Sequence, residues 1–402
     1  MSRAADYTIK GFLYQFNKTL LEILNSPDGS SITAEGIIED VEIVTTSLMK
    51  KAIQCKYHEA SKTFISSSIF KPLLQMMCHF HANPGANIHY ILFAHYPSVT
   101  GTSQPSIGKT DLQAALNSNN RDSEKYITQL RGKVDLDKFL SKFVMEFGPS
   151  FNSLVAQVNT ALKINGIPVG DIDTLAYPNA IHMIATISTK HKVMDRNITK
   201  QQLLKNLKSI RKTAISRWTM ALHTRKHLLD ARRKQLKTQL DKNSRTRYFV
   251  VDSKSLDDYN TEIVLFISDY IDKYHFKTAH ISTPVLCLCT SEEDFQNVEK
   301  RLYEKGIMLA DGYIGGRFYE KMFFRNPITS GTRNTFRREF TLRMLRWEAN
   351  GTMLNNQKCD DLFIIGEPDC ALLNTGDVNV EHLAATSLKE IKYVIGVSNV
   401  YE

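Results

Sequence analysis

A short β-branched run, residues 37–44, and a second strand-like run, residues 52–57, stand either side of a polar turn. Runs of this kind predict a pair of adjacent strands, and every residue in them is thereby assigned to one face or the other. What flanks the pair narrows the fold further. Upstream, Ile9, Phe12, Leu13, Phe16, Leu20, Ile23 and Leu24 recur at helical spacing, predicting a helix over about 6–25 that Pro27, Asp28 and Gly29 end. Downstream, a helix over 70–80 and an apolar strand over 88–96 complete a compact αββαβ unit.

Residues 110–240 are mostly helical by pattern and read as an extension of this first domain, giving 1–240 with a core at about 5–100. The composition changes around 241–247, and from Tyr248 strands and helices alternate. Strands are predicted over 248–252, 284–289, 307–310, 340–347, 362–366 and 393–397, with helices over 258–274 and 291–305. That order predicts a second α/β domain over 248–402. Two domains suit a chain of 402 residues, and no internal repeat or low-complexity tract complicates the division.

No apolar run approaches the ~20 residues of a spanning helix. The start, MSRAADYTIKGF, lacks the basic and apolar blocks of a secretory signal, so a cytosolic protein without membrane contact is expected. Six cysteines at irregular spacing predict reduced thiols rather than a disulfide framework or a zinc site.

The net charge of +9 is local in origin. Residues 196–247 hold 16 Lys and Arg against Asp230 and Asp241, a surplus of +14 that leaves −5 for the rest. A concentrated positive field suits a polyanion, because neutralised phosphates release counterions; a solvated helical connector is the plainer alternative. Arg232, Arg233 and Lys234 are the expected phosphate contacts.

The chemistry is concentrated in the strand pair. By alternation Asp40 lies with Glu42, and Gln54 lies with Lys56 on the neighbouring strand, while Ile53, Cys55 and Tyr57 turn to the other side. An acid, an amide oxygen and a lysine on adjacent strands are suitable parts for a magnesium site that hydrolyses phosphodiesters. Magnesium takes one or two carboxylates and fills its remaining positions with water and substrate phosphate. Asp40 is the main expected ligand; Lys56 is placed to position the attacking water and to stabilise developing negative charge.

Asp40 followed by Gln54-x-Lys56 resembles the signature of restriction-endonuclease-like nucleases, with Gln-x-Lys in place of the usual Glu-x-Lys. Gly11-Phe12-Leu13-Tyr14-Gln15 is similar to the N-terminal helix motif of one bacterial branch of that superfamily. This branch supplies the nuclease domains of anti-phage effectors, in cyclic-oligonucleotide, Lamassu-type and HerA-associated systems. The resemblance covers about residues 5–100 closely and the region to 240 loosely. It implies a mixed-sheet nuclease fold, magnesium or manganese as cofactor, Asp40 and Gln54 as metal ligands and Lys56 as catalytic lysine. It also implies double-stranded DNA as substrate, a homo-oligomer and an ATPase partner, HerA-like or SMC-like. Glu35, Glu39, Gln15 and Glu22 are additional candidates: Gln15 and Glu22, seven apart, share a helix side. Glu35 or Glu22 is expected to supply the charge that Gln54 lacks.

The resulting expectation is a metal-dependent DNA endonuclease acting in anti-phage defence, gated by assembly or a partner. The alternatives are a non-catalytic nucleic-acid-binding subunit and a nucleotide-dependent ATPase built on Gly108-Lys109-Thr110. The last lacks the required upstream glycine, since that position is Ser103 and Gly101 lies too far back. Thr110 is expected to cap the following helix instead. Cys78-His79-Phe80-His81 reads as helix-end packing, Cys287 and Cys289 as core, and 311–316 as a turn.

Overall fold

The computed structural model describes residues 3–36, 40–45, 49–59, 63–99, 104–242, 244–277, 280, 282–331 and 336–401. It is a mixed α/β chain in two compact units, Met1–Arg211 and Lys212–Glu402.

In the first unit α1 (Arg3–Asn25) leads into β1 (Ser31–Ala34), β2 (Val41–Val44) and β3 (Lys50–Tyr57), followed by α2 (Phe70–Ala82) and β4 (Ile88–His95). Further along come α3 (Lys109–Leu116), β5 (Phe143–Phe147), α4 (Phe151–Ile164), α5 (Tyr177–Ser188), β6 (Asn197–Ile198) and α6 (Lys200–Ser209). The sheet order is β5-β4-β3-β2-β1-β6. β1, β2 and β3 pair antiparallel, while β3, β4 and β5 run parallel.

Each face of this sheet has its own packing. Leu73, Met76, Met77 and Phe80 of α2 join Ala52, Tyr90, Leu92 and Ala94 in one core. On the other side Tyr14 of α1 sits 4.8 Å from the Tyr57 ring and 5.7 Å from Phe93. The period of two therefore puts Gln54 and Lys56 on the α2 side with Ala52, and Cys55 on the α1 side with Tyr57.

The expected strand over 37–44 is described only at Val41–Val44; residues 37–39, Glu39 among them, lie outside the described residues. A strand not expected from the sequence, β1, precedes it. Ser31-Ile-Thr-Ala is too short for its alternation to stand out, and its place comes from pairing with β2 and β6.

The second unit contains α7 (Arg225–Leu240), β7 (Arg247–Asp252), α8 (Tyr259–Tyr274), β8 (Val285–Cys289), α9 (Glu292–Glu304) and β9 (Leu309–Ala310). It ends with β10 (Leu342–Arg346), β11 (Asp361–Ile365), β12 (Asn379–Leu383) and α10 (Leu388–Val394). Its six-stranded sheet is parallel throughout, in the order β12-β11-β7-β8-β10-β9, and two short antiparallel ribbons lie outside it, Tyr313–Ile314 with Arg317–Phe318 and Thr329–Ser330 with Arg337–Arg338.

Two expectations change here. Residues 393–397 do not form a strand: α10 runs to Val394, its start fixed by Asp258, whose carboxylate accepts from the Leu388 and Lys389 amides. The division falls at Arg211/Lys212, ahead of the expected 240–248, because α7 packs on α10 and so belongs to the second unit.

Candidate active site

Asp40 sits at the bend leading into β2, and the register there is fixed by Val41 opposite Ile53 and Glu42 opposite Ala52. Continuing that register by one step sets Asp40 opposite Gln54. The Asp40 carboxylate reaches back to the strand backbone, Oδ2 accepting from the Cys55 amide at 2.8 Å. Burial pushes the Asp40 carboxyl up to about 6; the Cys55 hydrogen bond and the Lys56 charge pull the other way, and Glu35 adds to the rise.

Gln54 is 8 % exposed and, among the described residues, its Oε1 is without a hydrogen-bond partner. An unmatched buried amide oxygen costs roughly 1–3 kcal/mol. Lys56, one alternation further along, is half-buried and forms no ion pair or hydrogen bond among the described residues.

The described ends of the β1–β2 connection are tied to each other. The Glu35 amide donates to the Asp40 carbonyl at 2.7 Å, and the Glu35 carbonyl accepts from Arg196 Nη1 at 2.7 Å. Glu35 has a φ of +51°, a left-handed conformation unusual for a side chain of this size. Gly36 follows because a Cβ there would collide with the Glu42 carboxylate. From α1, Gln15 Nε2 donates to Glu35 Oε1 at 2.5 Å.

Thus Gln15, Glu35, Asp40 and Lys56 are linked in turn, and the strand register sets Gln54 beside Asp40. Glu22 does not join them as expected: Lys18 takes it at 2.6 Å, four residues away on the same helix. Glu22 and Lys18 instead bear on the Cys55 thiol, which burial first and Asp40 second push far above its ordinary range, keeping it a neutral thiol. Tyr14 is fully buried, its hydroxyl donating to the Pro149 carbonyl, and serves packing.

Two residues escaped the sequence reading. Arg196 clamps the Glu35 turn from more than 150 positions away, and no local pattern announces such a contact. His58, two residues past Lys56, stacks on Tyr96 at 4.6 Å and has an unpartnered Nε2. Burial, with Lys56 and His95 nearby, lowers its pKa and so favours the neutral ring. Continued alternation beyond Lys56 was the available signal.

Other candidates fall outside this site. Arg232 is 3 % exposed and ion-paired with Glu381, so it is not available to a phosphate. Arg233 donates to the Ser398 carbonyl and to Asn399, and lies over the Tyr393 ring. Only Lys234 of that trio is exposed.

Lys109 pairs with Asp137 at 2.6 Å, and α3 is capped by Gly108 rather than Thr110, the Asp111 carboxylate accepting from the Gly108 amide. Residues 101 and 103 lie outside the described residues. His79 bonds Tyr90 while His81 is exposed, so the cysteine–histidine run does not converge.

Among the described residues no three His, Cys, Asp or Glu side chains gather as a metal cluster. The donor set at Asp40 is one carboxylate and one amide oxygen. No protein-family model and no curated protein matches the sequence. No described helix is long and apolar enough to cross a membrane.

Proposed function

We propose that the first unit is a divalent-metal-dependent phosphodiesterase, a DNA endonuclease of the restriction-endonuclease-like type. The supporting observation is Gln54 Oε1, buried and without a hydrogen-bond partner among the described residues, one register step from Asp40, with Lys56 next along the strand and its charge felt by Asp40. The succession α1-β1-β2-β3-α2-β4, antiparallel and then parallel, also suits that fold.

Magnesium or manganese would be held by the Asp40 carboxylate and Gln54 Oε1; one acid and one amide suit a cation that retains several waters. When bound it supplies Lewis-acid polarisation of the phosphate and a more acidic water. The chain's own residues do the rest. Asp40, whose Oδ2 bonds the Cys55 amide, keeps its other oxygen for a ligand. Lys56 offers its ammonium to charge developing on the phosphate. Gln15 holds the Glu35 carboxylate, and Arg196 holds the turn that carries it.

The biological setting is part of the same proposal: an effector of anti-phage defence whose second unit serves assembly or sensing, with a partner ATPase controlling activity. Purified chain, with and without a HerA-like or SMC-like ATPase, is incubated with supercoiled plasmid and magnesium. Nicking or linearisation by the parent and its loss in Asp40→Ala are expected, with manganese binding lost by calorimetry. Parent-like cleavage by Asp40→Ala would overturn the site assignment.

A further inference from the structure

The surplus of positive charge in 196–247 divides between the two units, and the two parts differ in how their arginines are used and in what the exposed lysines are tied to. On α7 the arginines are spent inside the fold, Arg225 on Glu390, Arg232 on Glu381 and Arg233 on the chain's last turns. Residues 190–211 of the first unit are different. They hold seven Lys and Arg against Asp195 alone. Lys190, Lys192, Lys205, Lys208 and Arg211 are exposed and make no ion pair among the described residues. Lys200 pairs with Asp28 at 3.3 Å.

α6 has a buried side, Leu203 and Leu207, and an exposed side of Gln201, Lys205, Asn206 and Lys208, with no acid anywhere in its ten residues. An ordinary solvated helix mixes signs, as α9 does with Glu292, Glu293, Asp294, Glu299 and Glu304 beside Lys300 and Arg301. A face of one sign with amides between the cations suits a sugar-phosphate backbone, which is met by Lys and Arg together with neutral hydrogen-bonding groups.

The position of this face matters as much as its charge. β6 is the edge strand beyond β1, with Asn197 opposite Thr33 and Ile198 opposite Ile32. The Thr33 hydroxyl also bonds the Asn197 side chain. Arg196 donates to the carbonyls of Glu35 and Lys190, tying the basic segment to the turn that leads to Asp40. The cationic strap is thus tied, through Arg196 and Glu35, to the connection that leads into the candidate site.

We infer that residues 190–211 form the surface that holds the phosphate backbone of duplex DNA for the Asp40 site. The inference rests on the nuclease reading for its substrate, and its test is separable from that reading. Full-length protein without metal is titrated into a fluorescently labelled duplex of about 30 base pairs at several salt concentrations.

Replacing Lys205, Lys208 and Arg211 with Gln is expected to weaken binding about tenfold or more near 0.1 M salt and to flatten the log–log salt slope by about 2–3. Replacing Lys226, Lys237 and Lys242 of the second unit with Gln is expected to leave both unchanged. Asp40→Ala should bind duplex like the parent while losing cleavage. Parent-like affinity and slope in the first variant, a parent that shows no salt-dependent binding, or an effect confined to the second variant would each overturn the inference. Cleavage retained by Asp40→Ala would instead remove the catalytic reading and leave the binding result standing.

Discussion

In the second unit Asp361 is fully buried in β11, and both its oxygens are met: Arg245 donates to each at 2.6 Å, and Gln239 and Asn379 donate to Oδ1 at 2.7 and 3.0 Å. In the first unit Gln54 is nearly as buried in β3, yet among the described residues its Oε1 has no hydrogen-bond partner and the neighbouring Lys56 forms no ion pair, though its charge is felt by Asp40. Both are polar side chains in strands near the middle of a six-stranded sheet. The contrast separates two uses of buried polarity. A satisfied network holds a fold in one arrangement, whereas an unsatisfied group is open to a ligand.

The largest test of that contrast is Asp361→Ala. Removing the carboxylate leaves the Arg247 guanidinium buried and Arg245 without its bidentate partner, and breaking such a buried pair typically costs about 3–5 kcal/mol. Urea unfolding of the full chain should show a loss of this size. Hydrogen exchange should place it in peptides covering Asp361–Ile365. A loss below about 1 kcal/mol would mean that the network contributes nothing beyond the packing around it.

Lys56→Ala should behave in the opposite way. No partner is orphaned, so stability should change by less than about 0.5 kcal/mol, while plasmid cleavage falls about 100-fold, roughly 2.7 kcal/mol of transition-state stabilisation. A stability loss comparable to that of Asp361→Ala, with cleavage unchanged, would make Lys56 structural and erase the distinction.

How far the sequence disclosed all this depends on whether a feature is local. α1, α2, β3, β4 and most of the second unit follow from apolar spacing that a single segment carries. The side of β3 on which Gln54 and Lys56 lie follows from alternation alone. Hidden features depend on distant partners. β12 was missed because Asn379 and Glu381 spoil its apolar pattern, and Glu381 is buried only because Lys212 and Arg232 reach it. The same ion pair explains the misreading of Arg232 as a DNA contact: a run of cations does not reveal which of them meets a buried acid. Residues 393–397 have the β-branched look of a strand, but the Asp258 carboxylate starts a helix at their expense.

Acid should move the two units in opposite directions. Asp40 has a folded pKa near 6, above its ordinary value of 3.8, so the folded unit holds a proton that the unfolded chain has released. Its contribution to stability is fully present below about pH 4 and is lost as pH rises through 6. For Asp361 burial alone would raise the pKa, but hydrogen bonds from Arg245 and Asn379 and the charges of Arg245 and Arg247 outweigh it and hold the carboxyl low. Its contribution is present above the ordinary value and is lost as pH falls through the lowered one. Exchange-derived stability of peptides from Lys50–Tyr57, without metal, should therefore improve by about 1–2 kcal/mol from pH 6 to pH 4, and Asp40→Asn should abolish the gain. Peptides from Asp361–Ile365 should show no gain, and the opposite trend at lower pH. Parallel trends in both units would remove this part of the comparison.

The finest test replaces Gln54 with Met, which keeps the length of the side chain and removes the amide. If Oε1 is unmatched in the metal-free chain, deleting it relieves a desolvation cost, and stability should stay level or rise by about 0.5–1 kcal/mol. Magnesium should then lose most of its stabilising effect, because a ligand that binds only the folded state adds stability in proportion to its affinity. Gln54→Glu makes the complementary change: a carboxylate beside Asp40 and Glu35 should lower metal-free stability through like-charge repulsion and make the metal response larger. Thermal unfolding of the three proteins, with and without magnesium, gives the comparison directly. If Gln54→Met is destabilised by a full buried hydrogen bond and Gln54→Glu gains no response to metal, the amide is part of a structural network. β3 would then resemble β11 after all.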